Sequence, residues 1–144
     1  MLFRSAVTAA GVATWLPALA TIEKRARLLG TGFGVEVALV WPLVGGVVGP
    51  ELLVSAGTKD RVAVRPDRVF RHAIRLGACG VVLSHNHLSC TGPSDADHAV
   101  TRRLVAAGHL LCVPLLASLV IEPDAVHDLV SARTWLTTAP AGHP

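Results

Sequence analysis

The segment "CGVVLSHNH", residues 79–87, constrains the fold of this chain more than any other. A short apolar run without polar alternation reads as a strand buried within a sheet that helices pack against. Residues two apart on an extended strand point to the same side, so His85 and His87 present two imidazoles toward one point at its C-terminal end. Next come a short Gly/Pro loop and the helix "SDADHAVTRRLVAAG", expected to close with Gly108 as its C-cap.

The remaining elements complete a mixed pattern. "GVEVALVW" alternates around Glu36 and predicts a strand. Pro42 and the glycines of "PLVGGVVGP" predict a turn with a short paired strand. "ELLVSAGTKDRVAV" predicts two further strands around a Gly-Thr-Lys-Asp turn, giving a β-meander. Pro66 opens the helix "PDRVFRHAIRLG", with Val69, Phe70, Ala73, Ile74 and Leu76 on one side and Arg68, Arg71 and Arg75 on the other. "HLLCVPLLASLVIEP" supplies one or two more strands, and a segment through Trp135 precedes a Pro/Gly-rich tail. The order of elements predicts an α/β fold with a mixed β-sheet flanked by helices. Residues 1–33 are an N-terminal segment expected to form an accessory helix, 34–136 the domain, and 137–144 a flexible tail.

Composition narrows the function classes. At 144 residues, 51% hydrophobic and 16% charged, the chain has enough apolar material for one core and is not disordered. No run approaches the ~18 unbroken apolar residues of a membrane span, so no membrane partner is expected. The net charge of +3 permits contact with nucleic acid without demanding it. Cys79, Cys90 and Cys112 form no CxxC pair, which argues against a disulfide framework and a cysteine-rich zinc module and fits the cytoplasm. The opening "MLFRSAVTAAGVATWLPALA" has the outline of a signal peptide, but threonines, glycine and serine dilute its apolar stretch; an accessory helix ending near "EKRARLLG" is the expectation.

An HxH pair alone is a weak signal, so a metal site needs further donors. Gly92 and Pro93 allow the chain to reverse, and the first turn of the next helix can return Asp97 to the strand end. Two histidines and a carboxylate around zinc leave one position for water, the layout of a catalytic site. The competing reading of "SDAD" is a helix start, with Ser94 as N-cap and an acidic residue in the first turn. Glu36, inside an otherwise apolar strand, either faces solvent or is held in a cleft for acid–base work.

From about residue 34 to 136 the chain resembles the RadC-like branch of the JAB/MPN metalloprotease superfamily. The resemblance is carried by "GVEVALV", "SAGTKDRVAVRPDRVFRHAI", "GVVLSHNHLS" and "PSDAD". It implies a cytidine-deaminase-like JAB/MPN fold and a zinc hydrolase site. His85, His87 and Asp97 would bind Zn2+, Glu36 would act as general base, and Ser94 would help hold an oxyanion. The implied substrate bond is a peptide or isopeptide, and RadC-like proteins carry a historical link to DNA repair. Three departures stand out. The loop "LSCTGP" is one residue shorter than the family's, so ungapped counting would put the third ligand on His98 instead of Asp97. The family's "HNHPSG" is "HNHLSC", with Leu88 and Cys90, and Cys90 is a rival donor for the fourth position. Ala117-Ser118 replaces an Asp-His pair. These departures suit the alternative of a catalytically degenerate MPN-like scaffold or a nucleic-acid or protein-binding module. Its nucleic-acid footprint would be the arginine stripe, which otherwise reads as a solvated helix face.

Overall fold

Strand β1, Val37–Val44, reads VALVWPLV and is buried at every position but the last. Val37, Leu39, Trp41 and Leu43 lie in one apolar cluster, and Ala38 and Val40 in another. With side chains alternating between faces, a strand of this kind must run between two covering layers.

The computed structural model describes residues 15–57 and 64–137 and supplies those layers around one seven-stranded sheet. On one face, helix α1, Leu19–Leu29, sets Ile22 and Ala26 against β1, together with Trp15 just ahead of it. On the other lie helix α2, Pro66–Arg75, through Val69, Phe70 and Ala73, and helix α3, Asp95–Leu111, through Leu104. The strands are β2, Val47–Val48; β3, Leu52–Ala56; β4, Gly80–Asn86; β5, Leu115–Ile121; β6, Ala125–Asp128; and β7, Arg133–Leu136. Their order is β2-β1-β4-β5-β6-β7, with β3 also paired to β1. The expected mixed α/β sheet flanked by helices is the fold observed.

All pairings are antiparallel except β4 with β5. A parallel pair needs a crossover, and α3 is that crossover, so the helix starts where β4 ends. Topology therefore brings "SDAD" beside "HNH". Among the described residues, no helix is long and apolar enough to cross a membrane.

Several local expectations are corrected. Pro42 lies within β1, not in the turn, which is made by Gly45 and Gly46 with φ of 59° and 77°. The Pro42 carbonyl accepts from the Gly49 N–H at 2.7 Å. The backbone edge of Pro42 thus faces the 49–51 connection between β2 and β3, and its missing donor costs no ladder bond. β2 and β3 both pair with β1, so this part is a hairpin with an interrupted return strand instead of a meander. The Thr-Lys-Asp part of the predicted turn and most of the "RVAV" strand fall at 58–63, outside the described residues. Ile74 on α2 and Leu76 just past its end are exposed, whereas Val69, Phe70 and Ala73 are buried as expected.

Gly108 does not cap α3. The helix continues to Leu111 and closes on Cys112, which adopts a left-handed conformation with φ 58°. Gly108 is required for another reason: a Cβ there would lie 2.5 Å from the Val113 carbonyl oxygen and 3.2 Å from the Leu115 nitrogen. Alanine would gain about 0.8–1.0 kcal/mol of helix propensity. Overpacking against backbone costs about 1–3 kcal/mol, so the clash outweighs that gain. Gly108→Ala is therefore expected to lower the urea midpoint; an unchanged or raised midpoint would show that the helix end yields freely.

Candidate metal centre

Alternation along β1 and β4 decides which side chains meet. Val81 and Leu83 of β4 face α2 and α3, so His85 continues on that face. Ala38 pairs directly with His85 across the β1/β4 ladder. Glu36, two residues before Ala38, falls on the same face. His87 follows just beyond β4, its backbone N–H donating to the Ile121 carbonyl at 2.8 Å. Its ring lies edge-on to that of His85, with centroids 5.0 Å apart.

The start of α3 completes the group. Asp97 Oδ1 lies 3.2 Å from His85 Nδ1, and its Oδ2 3.2 Å from His87 Nε2. One donor atom from each of His85, His87 and Asp97 falls within 4.8 Å of the others, so the cluster is able to hold a metal ion. Glu36 approaches from the β1 side, with Oε2 3.7 Å from His85 Nε2 and its side chain 13% exposed.

The two readings of "SDAD" prove compatible. Ser94 is the N-cap of α3, its Oγ accepting from the Asp97 N–H at 3.1 Å. Asp97 returns the bond, Oδ2 accepting from the Ser94 N–H at 2.8 Å, which completes a capping box. One carboxylate thus closes the helix end and faces both histidines. His98 is exposed and stands outside the cluster, as does Cys90. Asp124 is the main influence pushing the exposed Cys90 thiol above its ordinary pKa, which makes it a poorer donor.

Charge couples the group. Burial alone would raise the Asp97 carboxyl, but bonds from His85, His87 and the Ser94 N–H hold it well below the usual carboxylate range. His87 is pushed up from 6.5 to about 9, chiefly by Asp97; burial opposes the shift and Glu122 adds to it. The sign follows. In the metal-free chain this pairing stabilises the fold fully below 6.5 and is lost as pH rises through about 9. A ligating nitrogen must shed its proton, so metal affinity is expected to climb by up to about tenfold per pH unit toward pH 9 and then level off. Affinity that stays constant from neutral to mildly alkaline pH would contradict this coupling.

Two residues that the sequence reading did not single out shape the site. Asn86, between the histidines, faces the opposite side of the sheet. Its Oδ1 accepts from the Val37 N–H at 2.7 Å, and its Nδ2 donates to the Val35 carbonyl at 2.9 Å and to Thr31 Oγ1 at 3.1 Å. These bonds pin the segment that carries Glu36. Glu122 is buried beside His87, with Oε2 3.0 Å from His87 Nδ1. Its only sequence signal is a carboxylate placed directly after the apolar run at 119–121. A cavity of about 30 Å³ opens beside His85 and Asp97, between Leu83, Val100 and Ser118, large enough for a water-sized group.

Comparison with known proteins gives these observations a context. A family model described as RadC-like JAB domain matches residues 48–134. A UPF0758 protein of Alcanivorax borkumensis is 50% identical over 107 residues, which cover 74% of this chain and 47% of that protein. A UPF0758 protein of Thermotoga maritima is 42% identical over 77 residues, 53% of this chain and 34% of its own length. One from Moorella thermoacetica is 44% identical over 69 residues, 47% and 30% of the two lengths. The chain thus spans about half, or less, of the length of these curated relatives.

Proposed function

Because this chain belongs to the RadC-like JAB domain family, we propose that it is a zinc-dependent hydrolase of peptidase or isopeptidase type, centred on His85, His87 and Asp97. The observation that supports this reading most is the convergence of two imidazoles and a carboxylate, from a strand end and a helix start, within 4.8 Å of one another. The donor set suits a borderline-soft divalent ion and leaves room for a further ligand. Zinc held there would supply Lewis-acid polarisation of the scissile carbonyl and a nucleophile at neutral pH.

The chain's own residues divide the remaining work. Glu36, mostly buried on the histidine face, takes the nucleophile's proton and passes it to the leaving amine. Ser94 accepts the Asp97 N–H through Oγ, and a hydroxyl so engaged can still donate its own proton to a developing oxyanion. His85 lies on the central strand β4, His87 directly after it is held by its N–H to the Ile121 carbonyl, and Asp97 is held by the capping box, so the donors start from fixed positions. The free, exposed Cys79, Cys90 and Cys112 accord with a cytoplasmic setting. The direct test is metal content. Protein purified without added metal or affinity-tag nickel should hold about one zinc per chain and cleave a peptide or isopeptide substrate. Protein that binds no zinc on titration would remove this reading.

A second reading, binding to nucleic acid, is favoured by the exposed Arg68, Arg71 and Arg75 of α2 and Arg102 and Arg103 of α3. Of these, Arg71 lies 3.8 Å from Asp67, a weak surface pair. Affinity for a nucleic acid would then fall by about 10³–10⁵ between low and moderate salt if six or more phosphates are contacted. Binding that ignores salt would exclude it.

A further inference from the structure

Glu122 follows directly after β5 and lies beside His87 because β4 and β5 run parallel in register, with Asn86 paired to Ile121. Its side chain is 3% exposed, and both of its oxygens are engaged. Oε2 faces His87 Nδ1 at 3.0 Å and also accepts from the Gly92 N–H at 2.9 Å. Oε1 lies 3.1 Å from His127 Nε2, and His127 Nδ1 lies 3.1 Å from Thr134 Oγ1. An ionised carboxylate accepts and does not donate, so the ring nitrogens facing Glu122 carry hydrogen. His87 then presents Nε2, not Nδ1, toward Asp97, as the 3.2 Å contact to Oδ2 requires.

We infer that Glu122 is a positioning residue of the metal centre. It fixes the ring orientation and hydrogen position of His87, and it anchors the loop from His87 to Ser94 through the Gly92 N–H. The inference rests on the metal-site reading above. Anionic acceptors behind ligating histidines raise donor strength and restrict the ring, and their loss typically costs about 10–100-fold in metal affinity. His127 faces the other oxygen, so both oxygens of the buried carboxyl group have hydrogen-bond partners.

A purely structural role for this side chain is separable. The turn after β5 is tied by main-chain groups: the Glu122 N–H donates to the Ala125 carbonyl at 2.8 Å, and Arg27 donates to the Glu122 carbonyl at 2.7 Å. Those bonds survive Glu122→Gln, which also keeps the volume.

The experiment titrates zinc into the metal-free full chain against a competing chelator at one fixed pH, for wild type, Glu122→Gln and Glu122→Ala. Circular dichroism checks each fold. Histidine side-chain proton–nitrogen spectra are recorded on the zinc-loaded wild type and Glu122→Gln. Glu122→Gln is expected to bind zinc about 10–100-fold more weakly with an unchanged dichroism spectrum. In wild type His87 should carry its hydrogen on Nδ1, far downfield, and that resonance should move upfield in Glu122→Gln. Zinc affinity in Glu122→Gln equal to wild type, with an unmoved His87 resonance, would overturn the inference and leave the metal site standing. Failure of wild type to bind zinc would overturn both. If Glu122→Ala does not fold, Glu122→Gln alone decides.

Discussion

Glu36→Gln is expected to slow hydrolysis by about 10²–10⁴ while zinc content stays at the wild-type level, the usual effect of removing a positioned general base. That loss corresponds to about 2.7–5.5 kcal/mol of transition-state stabilisation. The substitution is nearly isosteric, and Glu36 is not among the three clustered donors. Its main-chain carbonyl still accepts from the Gly57 N–H at 2.8 Å, so β1 enters the sheet as before. The 3.7 Å gap to His85 is too long for a hydrogen bond, and catalytic contacts in a free enzyme often tighten only on substrate binding. The check is kcat/KM on a peptide or isopeptide substrate, with zinc measured on the same samples. Turnover within a few-fold of wild type would assign the proton transfer elsewhere; loss of zinc together with activity would make Glu36 a ligand.

Asp97→Ala is expected to abolish stoichiometric zinc. The carboxylate is the only acidic member of the cluster, and its removal leaves two histidines facing a gap. It also removes the acceptor of the Ser94 N–H, so the first turn of α3 should weaken by about 1 kcal/mol. Asp97→Asn separates the two losses. An amide oxygen still accepts from Ser94 but is a poor zinc donor, so this variant should purify without zinc and melt near the metal-free wild type only above about pH 9, where the charge pairing of Asp97 with His87 is already lost. Full zinc retention in both variants would remove Asp97 from the ligand set and return His98 to consideration.

The residues most legible in sequence were those whose positions follow from periodicity. His85 and His87 share a face because they stand two apart; Glu36 stood out as a carboxylate among apolar neighbours, but its place beside the histidines depends on the β1/β4 register that pairs Ala38 with His85. The covered central sheet was legible in "GVVLS" because an apolar run without polar alternation needs cover on both faces. Glu122 was not, because its closeness to His87 depends on the parallel register of β4 and β5, which no local pattern encodes. Gly108 misled because glycine near a helix end usually takes a left-handed conformation, whereas here its missing Cβ admits the Val113 carbonyl and Cys112 makes the turn. Pro42 misled likewise, since its backbone edge meets a gap between β2 and β3 that arises only once both strands pair with β1. Ser94 and Asp97 looked ambiguous because helix capping and metal ligation favour the same residue types at the same spacing.

The capping box also explains why an aspartate suits position 97 better than a histidine. A carboxylate has about four acceptor sites, enough to keep the Ser94 N–H while turning a lone pair toward a cation. An imidazole has one lone pair to give, and spending it on a metal would leave the serine amide without an acceptor. In a lineage drifting at this position, the metal would therefore not be the only brake. Histidine there could preserve ligation and still unfasten the first turn of the crossover helix, so the two constraints together admit fewer substitutions than either does alone.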